Sequence, residues 1–372
     1  MKCFPYAYAT LFFLNAYCYD IHAFKDNGLQ ENTAMFSGRV LGGNNSVIKV
    51  TGRTMSRTWS LLTESVSIGS SSIRLMHSPL DMGWRVGDRI VLSPSGGYSA
   101  GTAEGFIIAG FRGYNEILLS KSNLYTATAD TKYSYTVQRR PTNEDEGVAL
   151  LAAEVINLSR NVLITGDDFK HIPCDPSLPG PITPQGCACN AAVGRYHCTV
   201  GLHTMMTGSQ GVIQVQYTRI EKCGQRGIQG KYCLHFHRMK ACPNCLFKGN
   251  AIEFSQQRGI AVHGTHLSVV SENVLNDIRG TNIFIEDGNE LFNRVEYNVA
   301  ICPWAFNDPN KHGCTVPGTD DDQVDTANNQ AGIWLISPTN HLIGNRMSNH
   351  FNGMFLQQFN GMILLHPHRL FL

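Results

Sequence analysis

Three short segments of this 372-residue chain carry histidines and carboxyl groups at matching positions. In Gly230-Lys231-Tyr232-Cys233-Leu234-His235-Phe236-His237, an extended strand alternates its side chains between faces. That alternation sends Tyr232, Leu234 and Phe236 one way and Cys233, His235 and His237 the other. Arg258 to His263 repeats the pattern with Ile260 and Val262 inward, and Thr281 to Glu286 repeats it with Ile283 and Ile285 inward. Aligning Phe236, Val262 and Ile285 places His237, His263 and Glu286 in one outward column, with steps of about 5 Å if successive turns stack. His263, held between His237 and Glu286, could then serve as a general acid or base. Two imidazoles and a carboxylate can equally hold a divalent ion, calcium or zinc, at His237, His263 and Glu286. Glu286 and Asp287 are adjacent and point to opposite faces unless Asp287 already lies in the turn made by Gly288. They are therefore a weak pair for a hydrolysis that needs two facing carboxyl groups. The plainer reading is a polar ladder whose members hydrogen-bond one another and line a groove wall.

The elements that would position this column repeat as well. An apolar residue precedes Asn250, Asn273, Asn298 and Asn345 by three positions, at Phe247, Val270, Val295 and Leu342, and the steps of 23, 25 and 47 read as one, one and two turns. Gly332-Ile333-Trp334-Leu335 and Gly353-Met354-Phe355-Leu356 extend the histidine ladder with a step of 21. Units of this size cannot bury their own apolar face, so they stack as a solenoid. β-branched strands, glycine corners and stackable asparagines make that solenoid a parallel β-helix, expected to be right-handed. An antiparallel sandwich with frequent hairpins is the alternative.

The bulk properties agree with a large all-β protein. The chain is 42% hydrophobic and 16% charged, with 30 basic and 29 acidic side chains giving a net charge of +1. No basic stretch is interleaved with aromatics, which disfavours nucleic-acid binding, and no later apolar run is long enough to span a bilayer. Residues 1–18 read as an export signal, with a simple apolar strand as the alternative. Removing them leaves ten cysteines, expected to form disulfides in an oxidising compartment. Cys242-Pro243-Asn244-Cys245 has zinc-site spacing but no second pair of that kind, so a disulfide is preferred there too. Asn44-Asn45-Ser46 and Asn157-Leu158-Ser159 are glycosylation sequons. Residues 19–58 read as the tail of a small glycine-rich β domain, 59–140 as a compact β unit, and 141–372 as the β-helix, with first rungs at 148–155 and 161–166. Loops are expected at 171–198, rich in proline and cysteine, and at 304–328, whose aspartates Asp320, Asp321, Asp322 and Asp325 read as a solvated face. The apolar strand starting at Gly361 stops without a cap, the pattern expected of a fragment of a longer protein.

Five strings carry a family resemblance: W-R-V-G-D-R-I-V-L (84 to 92), A-A-E-V-I-N-L-S-R-N-V-L-I-T-G (152 to 166), G-K-Y-C-L-H-F-H (230 to 237), R-G-I-A-V-H-G-T (258 to 265) and I-F-I-E-D-G (283 to 288). In this order they resemble the extracellular β-helix family of fibrocystin-L, the cell-migration-inducing hyaluronan-binding protein and the transmembrane hyaluronidase, over about residues 59–358. The resemblance implies a secreted or cell-surface protein that recognises an acidic glycan such as hyaluronan. It marks His235, His237, His263, Glu286, Asp287 and Asn298 as family-motif positions; with Lys231, the expected roles are substrate binding at Lys231, His235, His237 and Asn298 and catalysis at His263, Glu286 and Asp287. The family usually has Arg at Lys231, so a bidentate fork for carboxylate is lost here, and Pro at Cys233, whose thiol is free to pair with a neighbouring rung. Wording around 258–300 is closer to fibrocystin-L than to the hyaluronan-cleaving members. A hyaluronan-degrading enzyme and a structural segment without ligand therefore stand as alternatives to recognition.

Overall fold

Short runs rich in Val, Ile and Phe form strands, and the corners between them let each strand pair in parallel with the equivalent strand one turn on. The computed structural model describes residues 9–12, 40–95, 103–122, 128–141, 148–166, 201–224, 230–304, 314 and 331–356. Most of 1–18 and 304–328, all of 171–198 and 361–372, and Cys174, Cys187, Cys189 and Cys198 lie outside these residues.

Three sheets of seven, seven and six strands build a parallel β-helix. The histidine sheet runs through Val40–Asn44, His203–Thr207, Leu234–Ala241, Ile260–His266, Ile283–Ile285, Ala331–Leu335 and Asn352–Leu356. Its inward residues Leu234, Phe236, Ile260, Val262, Ile283, Ile285, Ile333 and Leu335 are buried in one continuous interior. Phe236 stacks on Phe247 of the facing sheet with centroids 3.9 Å apart.

The asparagine ladder forms one corner. Asn250, Asn273 and Asn298 each donate Nδ2 to the Oδ1 of the next asparagine at 2.9, 3.0 and 2.9 Å. Each also donates to a carbonyl, of Val215, Phe247 and Val270 respectively. The residue before each ladder asparagine has positive φ: Gly249, Glu272, Tyr297 and Gly344. That left-handed turn is costly for non-glycine residues, and the amide network holds it. Asn298 bonds directly to Asn345, so the 47-residue step is one turn with a long insertion, not two turns. A second ladder, Ser268–Asn293–Asn340, marks another corner.

Several boundaries differ from the sequence expectation. Val40–Asn44 and Val47–Thr51 pair in parallel with His203–Thr207 and Val212–Gln216, so they are the first rung rather than part of a separate domain. Val148–Leu151 and Glu154–Asn157 pair antiparallel and belong to the β unit, while Val162–Thr165 is a true rung. Ala9–Phe12 pairs in parallel with Val162–Thr165. The β unit is a six-stranded antiparallel sheet that packs Trp59, Leu61, Val91, Ile156 and Leu158 against Ala251, Val274, Val299 and Ile301 of the helix. Trp59 Nε1 donates to the Tyr297 carbonyl at 2.7 Å, and Arg346 pairs with Glu154 at 2.8 Å. Asn157 is fully buried and donates to Asp88, so this sequon cannot carry a glycan in the folded chain.

Cysteines form disulfides at 223–233, 242–245 and 302–314. The C-x-x-C pair is thus not a zinc half-site, and Cys233 joins the preceding rung.

Candidate functional site

His237 pairs with His263 in parallel register, and the Glu286 amide donates to the Val262 carbonyl at 3.0 Å. The expected column therefore forms. Alternation does not reach back to Tyr232 and Cys233, because the strand begins at Leu234. Cys233 lies in the interior, while Tyr232 joins Ala261, Phe284 and Trp334 in a buried cluster of its own. In that cluster the Arg258 guanidinium sits 3.5 Å from the Phe284 centroid and 4.9 Å from that of Tyr232, so its positive charge lies against two π faces.

A bulge shapes the rim. After the His237–His263 pair, Lys240 pairs with Thr265, so the first strand carries one extra residue. Arg238 and Lys240 take positive φ of 51° and 58° and stand exposed, while Met239 between them enters the core. Bulges re-aim side chains in this way. Gly264 lies beneath at a positive φ of 51°, where an added Cβ would crowd the Arg238 Cα at 3.3 Å, so backbone and space both favour glycine.

Three imidazoles meet at the centre. His235 Nδ1 is 3.0 Å from the Gly230 carbonyl and therefore carries the proton, leaving Nε2 as an acceptor. His237 Nδ1 donates to that Nε2 at 3.3 Å. His263 Nε2 lies 2.9 Å from Asp287 Oδ2, and its Nδ1 lies 3.5 Å from Glu286 Oε2. Arg238 Nε is 3.4 Å from the same His263 Nε2. The shorter contact to Asp287 assigns the Nε2 proton, and Arg238 acts there as a neighbouring cation. Burial, with like charge from His237 and His263, holds His235 well below the ordinary imidazole range. Burial first, then His263, Arg238 and Lys231, push His237 down to about 3. Burial alone brings Lys231 down to about 7, and its Nζ lies 3.4 Å from His203 Nε2. The site thus sets the neutral imidazoles of His235 and His237 beside His263 and two carboxyl groups, open to solvent mainly at His237, Arg238, Glu286 and Asp287.

Of the expected residues, His235, His237, His263, Glu286 and Asp287 come together. His235 and Lys231 are buried rather than presented on a surface. Asn298 is 1% exposed with its amide committed to the ladder, so the structure does not bring it to the site. For the ion, His235 takes the place that Glu286 held in the expected set: one ring nitrogen of each of His235, His237 and His263 lies within 4.8 Å of the others. Sequence reasoning missed Glu290, which is fully buried. Its carboxyl oxygens accept the backbone N–H groups of Gly264, Asp287 and Gly288, each at 2.9 Å. Glu290 therefore sets the turn that aims Asp287 at His263. The Asp287-Gly288 turn dipeptide was the available signal for it.

Fold and site together define a parallel β-helix protein whose sheet carries a histidine and carboxylate cluster on its outer face. Residues 199–362 match the family model described as the CEMIP beta-helix, and the chain is similar to fibrocystin-L over most of its length. Mouse fibrocystin-L is 28% identical over 286 residues, covering 72% of this chain and 6% of that protein. Human fibrocystin-L is 27% identical with the same coverage. Protein rliB of Dictyostelium discoideum is 23% identical, covering 82% of this chain and 24% of its own length. The chain thus spans a small part of these relatives. A phage phi297 tailspike covers 86% of this chain and 64% of its own at 8% identity, with a TM-score of 0.21, which is too low to carry an argument. Among the described residues no helix is long and apolar enough to cross a membrane.

Proposed function

We propose that this chain is a β-helix module of an extracellular protein and recognises an acidic glycan, of which hyaluronan is one, at the rim formed by His237, Arg238, Lys240, His263 and Asp287. The observation that carries this reading is the bulge, which stands Arg238 and Lys240 exposed directly beside the His263–Asp287 pair. A uronate carboxylate pairs with the Arg238 fork, and Asp287 can accept from sugar hydroxyls. Cations at the rim offset the repulsion that Glu286 and Asp287 exert on a polyanion. The disulfides support an oxidising compartment.

One observation favours turnover as a second reading. His263 stands within proton-transfer reach of Asp287, as a general acid or base must. The same incubation tests both readings. Purified chain is mixed with fluorescent hyaluronan, binding is followed by anisotropy, and product lengths are resolved on a gel. Saturable binding, weakened about tenfold or more (about 1.4 kcal/mol) in an Arg238→Ala, Lys240→Ala double variant, with intact polymer length, supports recognition. Shortened polymer, lost in His263→Gln, supports depolymerisation. Absence of both in the parent chain leaves a structural segment and overturns the proposal.

A further inference from the structure

We propose that His235, His237 and His263 form a binding site for a zinc-type transition-metal ion. This inference does not rest on the glycan reading; it stands on the geometry of the three rings. Imidazole nitrogens bound to tetrahedral zinc at about 2.0–2.1 Å lie about 3.3–3.4 Å apart. His235 Nε2 and His237 Nδ1 are already 3.3 Å apart. The third ring is near: one nitrogen from each histidine lies within 4.8 Å of the others, so completing the set needs a closure of at most about 1.5 Å. The His237 and His263 rings are set edge to face at 4.6 Å, and His263 is parallel to His235 within 11°.

Outer partners orient two of the rings as metal sites require. The Gly230 carbonyl holds the proton of His235 on Nδ1 and leaves Nε2 for the ion. Asp287 holds the proton of His263 on Nε2 and leaves Nδ1 for it. Binding replaces the hydrogen bond between His235 and His237: the Nδ1 proton of His237 leaves to solvent, Nε2 takes one up, and the freed lone pair faces the ion. Glu286 Oε2 lies 3.5 Å from His263 Nδ1 but outside the group of donors within 4.8 Å of one another, so it joins as a fourth ligand only with a shift of its side chain. The donors also decide the metal. Calcium takes six to eight oxygens, whereas three imidazoles with one carboxylate suit zinc, copper or nickel.

The test uses the full chain, stripped with chelator and desalted. Zinc is titrated calorimetrically, and bound metal is counted after gel filtration by mass spectrometry. We expect one equivalent per chain, a melting temperature that rises with zinc, and histidine-specific acylation of the 231–238 and 258–263 peptides blocked by the ion. His237→Gln should abolish the bound equivalent, Asp287→Asn should weaken it about 10–100-fold, and His341→Gln, an exposed histidine elsewhere, should leave it unchanged. No bound metal in the parent, or a stoichiometry unaffected by His237→Gln, overturns the proposal. Acylation of the parent chain needs no variant: protection absent at these peptides sinks the site even if His237→Gln fails to fold. Failure of metal binding leaves glycan binding by Arg238 and Lys240 standing, and the converse holds too.

Discussion

At the residue scale, the site depends on the neutral imidazoles of His235 and His237 and on the buried Glu290 carboxyl that sets the turn of Asp287. The unfolded chain protonates a histidine near pH 6.5, whereas folded His237 takes the proton only near 3. Between those values the unfolded chain binds more protons, so stability is full above pH 6.5 and falls as pH drops toward 3. His350, pushed by burial down to about 4, adds in the same direction. Lys231 works in another window: the unfolded chain keeps its proton to about 10.5 and the folded chain releases it near 7, so stability rises as pH rises between those values. Urea midpoints measured in chelator at pH 4.5, 6, 7.5 and 9.5 should climb through both windows, and Lys231→Met should flatten the upper one. Glu290→Ala leaves three partly buried N–H groups without their acceptor, at about 1 kcal/mol each before relaxation. A melting temperature unchanged by that substitution would remove Glu290 as the organiser of the Asp287 turn.

At the element scale, each rung contributes two kinds of contact, inward aliphatic packing and corner amides. Val262 is fully buried between Phe236 and Ile285 in register. Val262→Asp should unfold the stack, since an unpaired buried charge costs several kcal/mol; an effect under about 1 kcal/mol in urea unfolding would contradict the inward assignment. Asn298→Ala removes a donor to Val270 and a donor to Asn345 together with the acceptor of Asn273. It should cost about 2–3 kcal/mol while leaving glycan affinity unchanged, because the ladder corner lies away from the histidines. The repeat of the ladders was legible in the chain because one asparagine per turn at a fixed offset from an apolar residue leaves a periodic mark. The long insertion between Asn298 and Asn345 hid its own size, since spacing alone does not separate two turns from one turn with an excursion.

At the scale of the whole molecule, the β unit covers the outer face of one helix sheet. Ala251, Val274, Val299 and Ile301 are buried against it, and Val91 from the unit is fully enclosed. Val91→Asp should therefore separate unit and helix, seen as faster proteolysis within 59–158 and binding of a hydrophobic dye, while the interior around Val262 stays protected from hydrogen exchange. Simultaneous loss of protection in both regions would show instead that they unfold as one.

Alternation along a strand is local geometry, so the placement of His237, His263 and Glu286 on one outward column followed from the residues themselves. The inward set Leu234, Phe236, Ile260, Val262, Ile283 and Ile285 followed from the same period, and the solenoid followed from its repetition. Other features depend on contacts between residues far apart in the chain, which no local period records. Tertiary structure decided that Val40–Thr51 starts the helix and that Glu154–Asn157 leaves it for the β unit, because strand partners are chosen by packing. It decided that Tyr232 turns outward against Arg258, that Asn298 serves a corner, and that His235 is drawn into the cluster by the Gly230 carbonyl. Burial, which keeps His235 and His237 neutral and brings Lys231 down to about 7, is likewise a property of the assembled molecule, since desolvation is set by everything packed around a group.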